Sequence, residues 1–542
     1  MSEKYDICVI GSGAGGAPIA CKLAQKGLKV IILERGNLYS AKDFIKDELT
    51  ACRRDFFFPD HSRGLREVKY GSNPYISGNH LWTGACVGGG TVRMSGFFFR
   101  MREEDFSPLS NYGQIPGATQ RDWPINYNDL QKYYNEIESD IGISGHAQSI
   151  PGIKNLIPFS LPPLKSHAFS ILIDRACGDM GYHPFPTPRA VLSRNYKDRG
   201  ECSYTDFCGS YGCTTGAKAS TLVTYIKTAM ETGNAELLPN CCVYKLECSG
   251  NKITEAHFFN SQDIPNKVKA RIFILACSSI ETARLLLNSK NLRFPHGLAN
   301  SSGQVGKNLT FQMPCTVTAF FKKSILPENH LEGSPFVQRC LQDFHNLESD
   351  RLIYPRAGTV IFLLPHPNPI NKVMMLSFGK RGQRIWGIPL KQRIRDYFNY
   401  LHLQSDSFIE FLPNPETCIT LSKDKRDYWG IPVAKISIKP HEENLKAAEI
   451  LALKISEIYH NMGAVKAVYN NLPFTAGELQ HGTCRFGYDP QTSVLNPLCR
   501  SHDINNLYVT DGSFMPSGLP VPSTYTIMAN SLRIADFLYN NG

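Results

Sequence analysis

Apolar positions in this chain fall in short runs set between glycine-rich turns, and the clearest pattern opens the sequence. Residues 7–10 form an unbroken apolar run, followed by Gly11-x-Gly13-x-x-Gly16, a stretch of helical period, and a second apolar run at 30–33 that stops at Glu34. Unbroken runs of this length suit strands buried on both faces, and the order strand, glycine turn, helix, strand predicts a βαβ unit. Two more strand–turn–helix pieces lie far along the chain. One is 270–277, followed by SSIETARLLLNS with Glu281 near its start; the other is 506–510, followed by DGSFMP and a helix over about 526–539. The three pieces predict one α/β domain, doubly wound and Rossmann-like, assembled from discontinuous segments. Between them, 413–440 reads as two strands flanking a turn and 442–462 as an amphipathic helix. These predict an interleaved α+β domain on an antiparallel sheet.

Each part of the opening unit has a physical task. Gly11 permits the tight turn, Gly13 lets a pyrophosphate approach the backbone, and Gly16 allows the helix to pack closely on the strand. The N–H groups and positive end of the helix suit a diphosphate. Glu34, 18 residues beyond Gly16 and at a strand end, is placed to accept hydrogen bonds from a ribose. FAD and NAD both fit this unit.

Composition narrows the class. With 542 residues, 42% hydrophobic and 20% charged, the chain is long enough for roughly three to four domain-sized units. The formal charge of +10 is spread without any run of five basic residues, so no nucleic-acid partner is expected. No apolar run approaches the roughly 18 residues of a membrane span. The first strand begins near residue 5, leaving no room for a signal peptide, and a cytoplasmic location is the expectation. The 17 cysteines are expected to be mostly thiols.

Several stretches together resemble the glucose–methanol–choline oxidoreductases, which are FAD enzymes. They are the N-terminal unit, CVGGGTVRMSGFFFR (86–100), DWPINYNDLQKYY (122–134), ILACSSIETARLLL (274–287), SSGQVGKNL (301–309), and the final HGTCRFGYDPQTSVLN and NLYVTDGSFMPSG. Within the family, 202–221 is most similar to the gluconate- and sugar-dehydrogenase group. The resemblance implies FAD, with Gly88, Gly89 and Thr91 along the flavin and its diphosphate. It places the adenine at Val243, in a strand of a second βαβ piece, and Asp511 beside the diphosphate and ribityl chain. Thr91-Val92-Arg93-Met94 contains no histidine, so the flavin is expected to be non-covalent. The implied division is 1–105, 195–312 and 472–542 for the FAD domain, and 106–194 and 313–471 for the substrate domain.

The implied activity is an FAD-dependent dehydrogenase that takes hydride from a CH–OH group of an alcohol, sugar or sterol-like substrate and passes electrons to an acceptor other than oxygen. A neutral imidazole within reach of the hydroxyl serves as base. His481, directly before Gly482-Thr483, is the candidate, although the family histidine usually stands where Leu479 falls. The family's partner motif, Asn-Pro-x-x-Thr, is here Pro522-Ser523-Thr524-Tyr525-Thr526, so a second polar group must come from Ser523, Thr524, Tyr525 or elsewhere; Ser523 also reads as a helix cap. A redox-neutral lyase and a non-catalytic flavoprotein or partner subunit remain open on the same scaffold.

Cys202, Cys208 and Cys213 form a cluster, with Thr205 where related dehydrogenases carry a fourth cysteine. Three thiolates suit a three-iron cluster, zinc, or simply a loop of thiols. If a cluster is present, electrons leave toward a protein acceptor such as a cytochrome. The related dehydrogenases also carry a small companion subunit with the export signal, so the resemblance implies such a subunit as a candidate partner and a periplasmic location if the two are exported together. Finally, 337–403 is rich in Phe, Tyr, Leu and Ile, including Ile385-Trp386-Gly387-Ile388, and reads as core or as the lining of an apolar pocket.

Overall fold

The computed structural model of the chain describes residues 4–541, apart from 47, 49–56, 82–83, 154–155, 206, 329–330, 380–381 and 470–478. The expected boundary at 471/472 lies outside the described residues. A five-stranded parallel sheet joins the three separated pieces, in the order Leu507–Val509, Ala270–Leu275, Tyr5–Ile10, Val30–Leu33, Ala235–Leu238. Ile7, Cys8 and Val9 are at most 1% exposed, as a central strand covered on both faces requires. The helix Ala17–Gln25 covers one face together with Thr524–Asn541, which also packs on Tyr127–Ile141.

A second sheet of six strands, all antiparallel to their neighbours, runs Lys466–Tyr469, Gln312–Lys322, Tyr400–Glu410, Gly358–Leu363, Val337–Leu341, Phe185–Pro186. Along Gln312–Lys322, Cys315, Val317, Ala319 and Phe321 alternate inward. The helix Glu442–Asn461 covers that face with Ala447, Leu451, Ile455 and Ile458, a stripe of helical period. The fold is thus the α/β domain from discontinuous segments with an interleaved antiparallel domain.

Two expectations need correction. The 413–440 strands, Cys418–Arg426 and Pro432–Ile438, do not join the six-stranded sheet. They form a separate sheet with Arg66–Tyr70 and Ile76–Gly78, because Lys435–Ile438 pair in parallel with Glu67–Tyr70. Val243 does not lie in a βαβ strand. Its strand, Cys242–Ser249, turns back at Gly250 (φ +60°) and pairs antiparallel with Lys252–Phe259, which pairs in turn with Pro265–Val268.

Candidate functional site

The parallel strands end together, and a long cavity opens beyond their carboxyl ends, with about 1590 Å³ of empty space when its mouth is included. Open α/β sheets bind ligands at this place, where the strand order reverses; here the reversal falls at Tyr5–Ile10, flanked by Val30–Leu33 on one side and Ala270–Leu275 on the other. Gly11, Gly13, Glu34, Gly89, Thr91, Val243 and Asp511 all line it. Gly16 and Gly88 stand behind the wall. A Cβ on Gly16 would lie 2.0 Å from the Gly11 carbonyl oxygen, so Gly16 serves the close packing of helix on strand. Gly88 is fixed by its backbone: its N–H donates to Ser12 Oγ (2.9 Å), and its carbonyl accepts from Thr91 Oγ1 (2.6 Å).

No side chain caps the helix Ala17–Gln25, and Gly13, Ala14 and Gly15 at its start face the cavity. That is the arrangement an anion needs at a helix N-terminus. Gly89 comes close to this turn, since a Cβ on it would meet Gly13 Cα at 3.1 Å.

Two carboxylates flank the cavity. Glu34 accepts from Ser12 N–H (3.0 Å), Ser12 Oγ (2.7 Å) and Gly36 N–H (2.9 Å). Burial raises its pKa, and the Gly36 and Ser12 hydrogen bonds only partly offset this. Asp511 accepts from Ser513 N–H (2.8 Å) and Thr282 Oγ1 (2.5 Å), and burial raises its pKa also. Ser12 is a residue the sequence did not single out. It ties Glu34 to the Gly88 turn, while Thr221 Oγ1 donates to the carbonyl of Ser12 (3.0 Å) and Thr221 N–H to Thr91 Oγ1 (2.9 Å). Lone serines and threonines carry no pattern that reveals such links.

A charged cluster completes the wall. Glu281, 13% exposed, pairs with Arg66 (2.6 Å), Arg35 (3.4 Å) and Arg284 (3.4 Å), and Arg284 also pairs with Asp427 (2.5 Å). Burial alone would push the Glu281 carboxyl up, but the three guanidiniums outweigh it and hold the group well below the usual carboxylate range. Such a group stabilises the fold fully above its unfolded pKa of about 4.3 and progressively less as pH falls below it. Stability measured by urea unfolding is therefore expected to drop on acidification through pH 4. Glu281→Gln is expected to lower it by about 3–5 kcal/mol at neutral pH, because Arg66, 1% exposed, loses its carboxylate. Unchanged unfolding midpoints at neutral pH would refute this.

The expected catalytic corner is rearranged. Leu479, Gln480, Gly512, Ser523 and Thr524 line the cavity, but His481 does not. His481 is fully buried one position behind the wall, its Cδ2 3.4 Å from where a Cβ on Gly512 would stand. Its backbone is fixed there by exchange with Thr310, N–H to carbonyl in both directions (3.0 and 2.9 Å). Burial lowers its pKa to about 3, so the ring is neutral. Tyr525 is removed as a substrate partner: its hydroxyl donates to the Tyr134 carbonyl (2.9 Å) and to Glu138 (2.5 Å), and its ring stacks on Phe98, away from the cavity. Ser523 makes no capping bond, since its buried Oγ has no partner.

The cysteine cluster gains no support as a metal site. Cys208 Sγ is met by Arg189 (2.9 Å), Cys202 Sγ by Tyr204 N–H (3.4 Å) and Cys213 Sγ by Lys218 N–H (3.5 Å). Burial pushes the Cys202 thiol up; at Cys213 burial acts the same way, but the Thr215 and Lys218 hydrogen bonds and the Lys218 charge outweigh it and lower the thiol. The three sulfurs do not lie close enough together here for a single ion, which gives zinc no support, and nothing supports the three-iron cluster. Among the described residues the one trio that close is Glu104, Asp105 and His345. Arg356 fills it, donating to Asp105 (2.6 Å) and Glu410 (3.0 Å).

Two family models described as GMC oxidoreductase match the chain, over residues 71–314 and 413–531. The chain is 29% identical to 2-methyl-1,2-propanediol dehydrogenase of Mycolicibacterium austroafricanum, covering 99% of this chain and 95% of that one. It is also 29% identical to 6'''-hydroxyparomomycin C oxidase of Streptomyces lividus, covering 98% and 90%. Among solved structures, formate oxidase of Aspergillus oryzae superposes with a TM-score of 0.65 at 14% identity over 98% of both chains.

Proposed function

On the premise that this chain belongs to the GMC oxidoreductase family and is an FAD-dependent enzyme acting on CH–OH donors, we propose that it is a dehydrogenase of a small alcohol or polyol whose electrons go to an acceptor other than oxygen. One observation carries the substrate end of this reading. Two side chains that line the cavity, Gln480 and Ser523, carry buried polar atoms without partners, Oε1 and Oγ, and the ring nitrogens of His481, next in sequence to Gln480, have none either. Each such atom costs about 1–3 kcal/mol if left unpaired. The two that face the cavity, on Gln480 and Ser523, fit a hydroxyl-bearing ligand that satisfies them.

FAD bound in the cavity would supply the hydride acceptor. The chain's own residues do the rest. Gln480 and Ser523 reach the cavity and orient the hydroxyl; Gln480 is itself anchored through a bond from Nε2 to the Leu81 carbonyl. His481 is neutral but stands behind Gln480 and Gly512, so it takes the hydroxyl proton only where its ring moves to within hydrogen-bond reach of the cavity. The apolar side chains of Met94, Leu479 and Ile527 exclude water around that hydroxyl.

The test is made under nitrogen on the yellow protein. Alcohols, diols and sugars are added singly, and at least one is expected to bleach the flavin. Air should then restore the colour more slowly than an artificial quinone. A flavin that no member of the panel bleaches would favour the lyase or non-catalytic alternative, and fast recovery in air would make the protein an oxidase.

A further inference from the structure

Of the segment 337–403, expected to form core or pocket, the strands Val337–Leu341 and Gly358–Leu363 are core, whereas the helical part is not. The helices Pro369–Leu376 and Gly387–Phe398 bury none of their residues, whereas every other α-helix among the described residues buries at least one. At their junction Trp386 is 80% exposed, Ile388 81% and Met375 63%, with Met374 and Phe378 beside them. The arrangement is nevertheless built. Ile385 N–H donates to the Ser377 carbonyl (2.7 Å), Arg393 to the Phe378 carbonyl (3.1 Å), and the Arg384 guanidinium lies over the Phe378 ring at 4.5 Å. At the root, His366 stacks on Phe336 with centroids 4.6 Å apart, and Asn371 N–H donates to Glu48 (2.9 Å). A fixed hairpin of helices thus presents apolar side chains outward.

Charge decides what covers it. Residues 366–399 hold seven Lys or Arg against a single acid, Asp396, a net +6 of the whole chain's +10. Among the described residues Arg384, Lys391, Arg393 and Arg395 have no carboxylate partner in an ion pair. Exposed apolar patches of this kind mark interaction sites. Protein interfaces share the Trp, Met and Arg of this patch but are depleted in lysine, and their cores in charge generally, whereas this face carries a net +6. A bilayer surface accepts that excess: Trp, Ile and Met tips enter the headgroup–acyl boundary while Lys and Arg stay with the phosphates. No helix among the described residues is long and apolar enough to cross a membrane.

We propose that the helical hairpin at 369–398 docks this protein on an anionic lipid surface, without spanning it. The holoprotein is mixed with sedimentable vesicles of phosphatidylcholine alone or with phosphatidylglycerol. Binding is expected to the mixed vesicles, at least about tenfold stronger than to phosphatidylcholine alone, and weakened by salt. The double variant Trp386→Glu/Ile388→Glu and the double variant Arg384→Glu/Lys391→Glu should each weaken it by about tenfold or more. Both should keep the bound flavin and the wild-type rate with a water-soluble alcohol. Failure of the wild type to bind, or undiminished binding by the variants, overturns the proposal. So does wild-type self-association that both variants abolish in analytical ultracentrifugation, which would assign the face to a second copy. Vesicle binding is read independently of turnover, so its failure leaves the proposed activity standing, and loss of activity leaves it standing in turn.

Discussion

Protein carrying Gly13→Val is expected to fold normally and to purify without colour. Gly13 faces open cavity: a Cβ there would come no closer than 3.8 Å to any protein atom, and its backbone is not in the left-handed region. The added side chain therefore starts from ordinary van der Waals distance and projects into the place where the uncapped helix start would hold a diphosphate. Losing two charge-assisted hydrogen bonds of about 1.5 kcal/mol each weakens binding about a hundredfold. Neighbouring glycines give a contrast. A Cβ on Gly16 would sit 2.0 Å from the Gly11 carbonyl oxygen, and one on Gly15 2.6 Å from that of Thr510. Substitutions at those two positions should harm the fold itself. Titrating apoprotein with FAD while following thermal unfolding separates the cases. A yellow Gly13→Val protein with unaltered affinity would remove this turn from the cofactor site.

His481→Ala is expected to slow bleaching of the flavin by a productive alcohol about a hundredfold or more, the lower part of the range for general-base catalysis, with the colour retained. His481 lies behind Gln480 and Gly512, so any effect depends on its ring reaching the hydroxyl that those neighbours bracket. Stopped-flow reduction under nitrogen reads the step directly. Gln480→Ala serves as the comparison, because Gln480 touches the cavity but carries no base. A rate unchanged in His481→Ala and lowered in Gln480→Ala would mean that His481 is structural.

The parts of this molecule legible in its sequence are those written in local patterns. The glycine turn, the apolar runs at 7–10 and 30–33 and the acid at Glu34 sit within about thirty residues, and each obeys a steric or hydrogen-bonding rule that needs no knowledge of the rest. Long-range pairings without a strand–turn–helix motif at each end were not legible. Lys435–Ile438 find Glu67–Tyr70 across more than 360 residues, and no spacing rule points from one to the other. Val243 reaches the cavity as expected, but from an antiparallel hairpin whose turn, Ser249-Gly250-Asn251, carried a signal that the βαβ pattern overshadowed. The loop at 479–483 has no period, so a one- or two-residue shift of register moved Leu479 to the wall and His481 behind it. Composition has no direction either: the aromatic and aliphatic residues at 385–388 read as interior, yet Trp386 and Ile388 point to solvent. Where the chain departs from its family, at Leu479 and Pro522, the structure places Gln480 and Ser523 instead, both with buried polar atoms unpaired.

The central claim is that segments from the start, middle and end of the chain close around one FAD. Its most direct measurement is the flavin released on denaturation of the purified protein, quantified per mole of chain after incubation with FAD and removal of the excess. One FAD per chain is the expected result. Folded protein that stays colourless and releases none, even from a large excess of FAD, would contradict it.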